Sequence, residues 1–222
     1  ADLANKMGNL VSRTVAMIEK YFDGVIPAPG ETTELEEALK ARFEALPGLI
    51  EKNMDALQFS VALSEIWKLV EDCNGYIDQT QPWVLGRDES GKARLSTVMY
   101  YLAECVRAVA VAIGPTMPNT PERIFEQLGI TDPALKTWDS IQKFGALPAG
   151  IKVHKGDALF PRFDVAKELA ALNGNQQESV EKKPEKKAEK KKEKKAEAPA
   201  ELPEGAIGID DFCKVKLIVA KV

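Results

Sequence analysis

Residues 59 to 85 read FSVALSEIWKLVEDCNGYIDQTQPWVL, and this stretch decides the fold. Phe59, Leu63, Ile66, Val70, Cys73 and Ile77 recur at alternating steps of four and three. That spacing lines them along one stripe of an α-helix with a buried face. Pro82 ends the pattern. It has no N–H to donate and forces Gln81, before it, away from helical backbone angles. Just past the stop stands Trp83, and two readings of it are open. A large aromatic at a helix end can plug a helical core, where aromatics are usually found. A π-face at a helix terminus can also stack on an unpaired nucleobase.

Toward the N-terminus, Leu3, Met7, Leu10, Thr14, Met17 and Tyr21 repeat the spacing and predict a first helix over residues 2–21. Asn5, Asn9 and Arg13, each four apart, share a different face. It reads as a solvated polar stripe or as a recognition stripe, since an amide and a guanidinium can both read a base edge. The pattern begins without a cap, as expected of a helix cut from a longer chain. Residues 22–33 are a loop, broken by Gly24, Pro27, Pro29 and Gly30. Thr33, with Glu36 three residues on, makes a capping box for a second helix bearing Leu35, Leu39, Phe43 and Leu46. Pro47 and Gly48 interrupt that pattern before Leu49, Ile50, Met54 and Leu57, and predict a kink or break.

Toward the C-terminus, residues 86–92 are a polar loop. Leu95, Val98, Leu102, Cys105, Val109 and Ala112 make the seam of a fourth helix over residues 93–113, stopped by Gly114 and Pro115. Thr120 is expected to cap a short fifth helix with Pro121 at its first position and Ile124, Phe125 and Leu128 facing the bundle. Residues 131–164 set Trp138, Phe144, Leu147, Leu159 and Phe160 among glycines and prolines. They read as an ordered tail wrapping back over a surface, with one more short helix expected over residues 164–173.

Then the composition changes. Residues 176–201 hold nine lysines and seven glutamates and no aromatic residue. Such a segment cannot bury enough apolar surface to fold alone and reads as a disordered charged linker. Beyond it Val215, Leu217 and Val219 alternate with Lys214, Lys216 and Lys221. This predicts the first strand of a β domain, though one strand is too few to make one.

With 45% hydrophobic and 29% charged residues, the 222-residue chain has an ordinary globular composition. No apolar run approaches the roughly 20 residues that a membrane span needs, and no signal peptide is visible. No membrane partner and a cytoplasmic location are therefore expected. Cys73 and Cys105 sit on apolar stripes and predict buried free thiols; Cys213 stands apart. The single histidine, His154, is too few for a metal site built of several His or Cys at short spacing. There is no Walker loop, GxGxxG or nucleophile elbow. The net charge of −4 argues against indiscriminate nucleic-acid binding. A nucleic-acid ligand would have to be held by a few placed groups.

Four segments, in order, resemble bacterial methionyl-tRNA synthetases. ADLANKMGNLVSRTVAMIEKYFDG resembles the first helix of their anticodon domain, and IWKLVEDCNGYIDQTQPW the third helix with its Trp-bearing end. LFPRFD is similar to the segment closing the body of that enzyme. GIDDFCKVKLIVAKV is similar to the first strand of the OB-fold tRNA-binding domain that follows a Lys/Glu/Ala-rich linker. At Pro47 and Gly48 the chain departs from a helix that the family usually keeps continuous.

The resemblance implies an all-α class I synthetase anticodon-binding bundle with its tail over residues 1–174. It implies a linker over 175–205 and the truncated start of an OB fold over 206–222. It implies recognition of the CAU anticodon of initiator and elongator methionine tRNAs, with Asn9, Arg13 and Trp83 handling the first base. Asn74 and Gln81 belong to the same motif. The family's nucleotide-binding signatures are not among these residues, so no catalytic residue, metal or cofactor is expected within this chain. ATP and magnesium would serve the parent ligase, and relatives with a whole C-terminal domain are often dimers through it. Two alternatives stand beside this reading: the anticodon domain of another class I synthetase, and a helical scaffold protein without an RNA role.

Overall fold

A computed structural model describes residues 3–161. The expected linker, the C-terminal strand and the short helix over residues 164–173 lie outside the described residues, as does Cys213. Among the described residues every regular element is helical, and β pairing is confined to one isolated bridge, Val25 with Lys152.

The chain enters through a π-helical turn, Leu3–Gly8, which leads directly into α1, Asn9–Phe22. A π turn is wider than an α turn. It leaves Leu3 39% exposed while Met7, Leu10, Val15 and Ile18 are buried. Helix α2 spans Glu34–Asp55 and α3 spans Phe59–Thr80. The one-turn helix α4, Pro82–Leu85, follows, then α5, Lys92–Ile113, and α6, Thr120–Leu128.

Three expectations need correction. The break at Pro47 and Gly48 is absent: α2 runs through both residues, with Pro47 inside it. Pro47 deprives the Phe43 carbonyl of its helical donor. Its ring is nonetheless buried on the same face as Phe43, Leu46 and Ile50, which packs against α3. Burial of that face outweighs the local cost. Thr120 is not a capping residue; it is the buried first residue of α6, and Asn119 precedes it without a side-chain cap. Side-chain capping needs extended backbone before the helix, and Asn119 is already in the right-handed helical region. Finally, Phe59 is 52% exposed. It is the first residue of α3, at the turn joining α2, so the buried stripe begins with Ala62 and Ile66 instead.

Helix α5 is the axis of the bundle. Apart from Ser96, every residue from Leu95 to Ile113 is buried. A helix apolar all round belongs inside a protein or a membrane. The span Glu89–Ile113 is long enough for a membrane helix and contains an 18-residue window of mean hydropathy 1.4, a signal missed by the search for an unbroken apolar run. Here 89% of that window is covered by protein. Cys73 of α3 and Cys105 of α5 are buried free thiols, as expected, and burial pushes the Cys105 thiol well up. Thiols in that state are poor nucleophiles.

The tail closes over the bundle as the sequence suggested, and a buried ion pair organises it. Arg107 Nε and Nη2 donate to the two carboxylate oxygens of Glu104 at 2.7 and 2.9 Å. Both residues are fully buried. Arg107 also donates to the Leu135 carbonyl at 2.8 Å and to the Ser140 hydroxyl at 2.7 Å. Glu104 accepts the Gly145 and Ala146 N–H groups at 3.0 and 2.9 Å. With the Arg107 donors all engaged and both Glu104 oxygens accepting, the pair's desolvation is compensated. Phe144 packs on Phe43 and Tyr101, at centroid distances of 5.1 and 4.4 Å.

Candidate nucleic-acid interface

Helices α1 and α3 run side by side in the same sense. Lys6 Nζ meets Glu71 Oε1 at 2.6 Å, and one α1 turn past Asn9 the Arg13 guanidinium meets Asp78 Oδ1 at 3.4 Å. Farther on, the Tyr21 ring lies so close to Gly86 that a Cβ there would run into it. The end of α1 is thus seated beneath the loop that follows α4.

The end of α3 is built as its sequence suggests. Gln81 donates its N–H to the Ile77 carbonyl at 3.0 Å and turns left-handed, with φ 45° and ψ 64°. Non-glycine residues rarely adopt that region. The Gln81 carbonyl then accepts the Val84 and Leu85 N–H groups at 2.7 and 3.3 Å, which starts α4. Pro82, first in α4, is buried, and Trp83 is turned outward with 42% of its surface exposed. Trp83 is therefore not a core plug.

A polar anchor holds this end from behind. Glu36 is buried, and its Oε2 accepts the Thr33 N–H and hydroxyl, both at 2.7 Å, completing the expected capping box. Its Oε1 accepts the Tyr76 hydroxyl of α3 and the Arg94 guanidinium of α5, the latter at 2.7 Å. Burial pushes the Glu36 carboxyl up, but Arg94, Tyr76 and Thr33 together outweigh it and hold the group at about 2. Burial and the neighbouring carboxylate push the Tyr76 hydroxyl well above its ordinary range. One carboxylate so ties together α2, α3 and α5 one turn ahead of Gln81.

The named residues divide by exposure and partner. Asn9 and Gln81 are exposed, and Arg13 is half-buried against Asp78. Asn74 is half-buried, and its amide nitrogen donates to the Val70 carbonyl at 2.9 Å and the Lys6 carbonyl at 3.4 Å. The bond to Lys6 joins α3 to the π turn. Sequence reading missed Asp78, Glu36, Tyr76 and Arg94 as neighbours of the site. Arg13 and Asp78 lie 65 residues apart, and no local pattern pairs them. His154 is exposed, and among the described residues no cluster of three or more His, Cys, Asp or Glu could hold a metal ion.

Residues 26–173 match the family described as the anticodon binding domain of methionyl tRNA ligase. The chain belongs to that family. This bears out the resemblance carried by the third helix and sets aside the other class I synthetases and the scaffold reading. The methionine–tRNA ligase of Caldanaerobacter subterraneus subsp. tengcongensis is 52% identical over 222 residues, all of this chain and 32% of that protein. The Bacillus subtilis methionine–tRNA ligase is 48% identical over the same extent. The Mycobacterium tuberculosis methionyl-tRNA synthetase solved with methionyl-adenylate superposes with a TM-score of 0.68 at 34% identity. That match covers 73% of this chain and 32% of that one. The chain thus spans about a third of the length of the methionyl-tRNA ligases it matches.

Proposed function

We propose that this chain is the tRNA-selecting region of a methionine–tRNA ligase and that it reads the CAU anticodon of initiator and elongator methionine tRNAs. The observation that carries this reading is the exposure of Trp83, which follows left-handed Gln81 and buried Pro82 at the end of α3. Anticodon bases are single-stranded and can be splayed onto an aromatic face. Trp83 stacks the first base, a cytosine. Asn9 and Arg13 supply an acceptor and donors to its edge, and Asp78 orients the Arg13 guanidinium. Asn74 keeps α1 and α3 in register, and Gln81 sets the turn that aims Trp83.

Ligation belongs to the rest of the parent enzyme, which uses ATP and magnesium in a cytoplasmic reaction. The described residues offer no donor cluster for such a metal, and no chemical step is assigned to them. A β domain starting at residues 206–222 would add tRNA affinity and a dimer contact, joined by the linker over 175–205. The test is a panel of RNA stem-loops. The chain should bind a CAU loop at least about tenfold more tightly than loops with other anticodons, the size expected of lost stacking and edge contacts. It should show no methionine-dependent ATP–pyrophosphate exchange. Equal affinity for all loops would refute the anticodon reading.

A further inference from the structure

Trp83 is carried by a short segment strung between two long helices. Gln81 closes α3, Pro82–Leu85 form α4, and Gly91 leads into α5 at Lys92. Within the segment, the Gly86 N–H donates to the Pro82 carbonyl at 2.9 Å and the Arg87 N–H to the Val84 carbonyl at 3.1 Å. Bonded to itself in this way, α4 shifts as a unit, so the two ends of the segment decide where the Trp83 ring stands. The first end is the left-handed Gln81. A non-glycine residue holds that conformation only where its surroundings over-determine it.

Both ends lead back to one carboxylate. Near the end of α3, the Tyr76 hydroxyl donates to Glu36 Oε1. The Tyr76 carbonyl accepts the Thr80 hydroxyl at 2.7 Å, and the next carbonyl, of Ile77, accepts the Gln81 N–H at 3.0 Å. In the first turn of α5, Arg94 donates to the same Glu36 oxygen at 2.7 Å and to Thr33 Oγ1 at 3.3 Å. Three residues before it, Gly91 is pressed against Leu85, the last residue of α4: a Cβ there would strike the Leu85 carbonyl. Glu36 is fully buried, so RNA does not reach it. A well-packed apolar side chain of the same size would often hold three helices together as firmly. What the carboxylate supplies is direction, since its bonds fix the end of α3 and the start of α5 relative to one point.

We propose that Glu36 is a positioning residue for Trp83. By holding the α3 end through Tyr76 and the α5 start through Arg94, it sets the stance of α4 and keeps the ring in place for a base to stack on. The proposal rests on the anticodon reading and adds to it a residue that works from behind the site. A stacking surface already in place needs no ordering when RNA binds, whereas ordering a loosened segment lowers affinity.

The experiment uses the full chain and two variants that keep the size of the side chain. Tyr76→Phe removes the hydroxyl at the α3 end, and Glu36→Gln removes the charge that both ends share. Each should weaken binding of a CAU stem-loop about three- to tenfold, the size expected of ordering one or two side chains. In a Trp83→Ala background neither should weaken it further. Amide hydrogen exchange over residues 82–91 should quicken in both, as expected of a local opening. Ile124→Val, a buried change in α6 away from the segment, should lower the urea midpoint and leave CAU affinity unchanged. If Glu36→Gln lowers the midpoint too far for binding to be read, Tyr76→Phe decides. The proposal is overturned if the deciding variant leaves CAU affinity unchanged, weakens it equally without Trp83, or does no more than Ile124→Val. A chain that binds CAU no more tightly than a scrambled loop refutes the anticodon reading instead. The exchange comparison then decides the positioning role, which falls if residues 82–91 exchange no faster in either variant.

Discussion

Arg13 of α1 and Asp78 of α3 face each other at 3.4 Å across the groove between their helices, with side chains 31% and 69% exposed. An ion pair this open contributes at most about 1 kcal/mol to stability. Arg13→Ala should therefore leave the urea midpoint nearly unchanged. Its effect should appear in recognition: preference for cytosine over uracil at the first anticodon base should fall, because lost edge contacts are base-specific. Titrating CAU and UAU stem-loops side by side gives the ratio directly. An unaltered ratio would remove Arg13 from the readout.

Glu36 links folding to pH. Its carboxyl stands at about 2 in the folded chain against an ordinary 4.5. A depressed carboxylate stabilises the fold above its unfolded value, and that contribution drains away as pH falls toward the folded one. Urea unfolding free energy should thus decline between about pH 4.5 and 2, and Glu36→Gln should remove part of that slope. At pH 7, Glu36→Ala should cost about 3 kcal/mol or more, since it leaves Arg94 and Tyr76 without their shared acceptor. A slope identical in the Glu36→Gln variant would place the pH dependence elsewhere.

The Glu104–Arg107 pair should be the most sensitive point of the core. Arg107→Ala removes the partner charge of a fully buried carboxylate and frees the Leu135 and Ser140 oxygens. A loss of about 3–5 kcal/mol is expected, with faster hydrogen exchange at Gly145 and Ala146, whose N–H groups Glu104 accepts. Stability within about 1 kcal/mol of the original would show that the tail is held by its apolar contacts alone.

Much of this architecture was legible in local pattern. The stripe of Ile66, Val70, Cys73 and Ile77, the stop at Gln81 and Pro82, and the capping box of Thr33 and Glu36 all depend on residues within a turn or two of one another. What escaped the sequence was set by distant partners. Helix α2 continues through Pro47 because α3 covers the proline's face. Glu36 looked like a cap and is also the acceptor for Arg94, 58 residues away. Phe59 fitted the stripe and is exposed, because periodicity does not tell where neighbouring helices end. At the site, Trp83 could be placed at a helix end, but its outward turn follows from the burial of Pro82, which only the packed structure reveals.

Whether Trp83 serves RNA recognition more than folding is decided by one paired measurement: CAU stem-loop affinity beside urea denaturation for Trp83→Ala. With 42% of Trp83 exposed, affinity should fall about tenfold or more and stability by less than about 2 kcal/mol. The contrary result is a stability loss of about 3–5 kcal/mol, as for a core tryptophan, together with unchanged CAU affinity and preference in the milder Trp83→Phe.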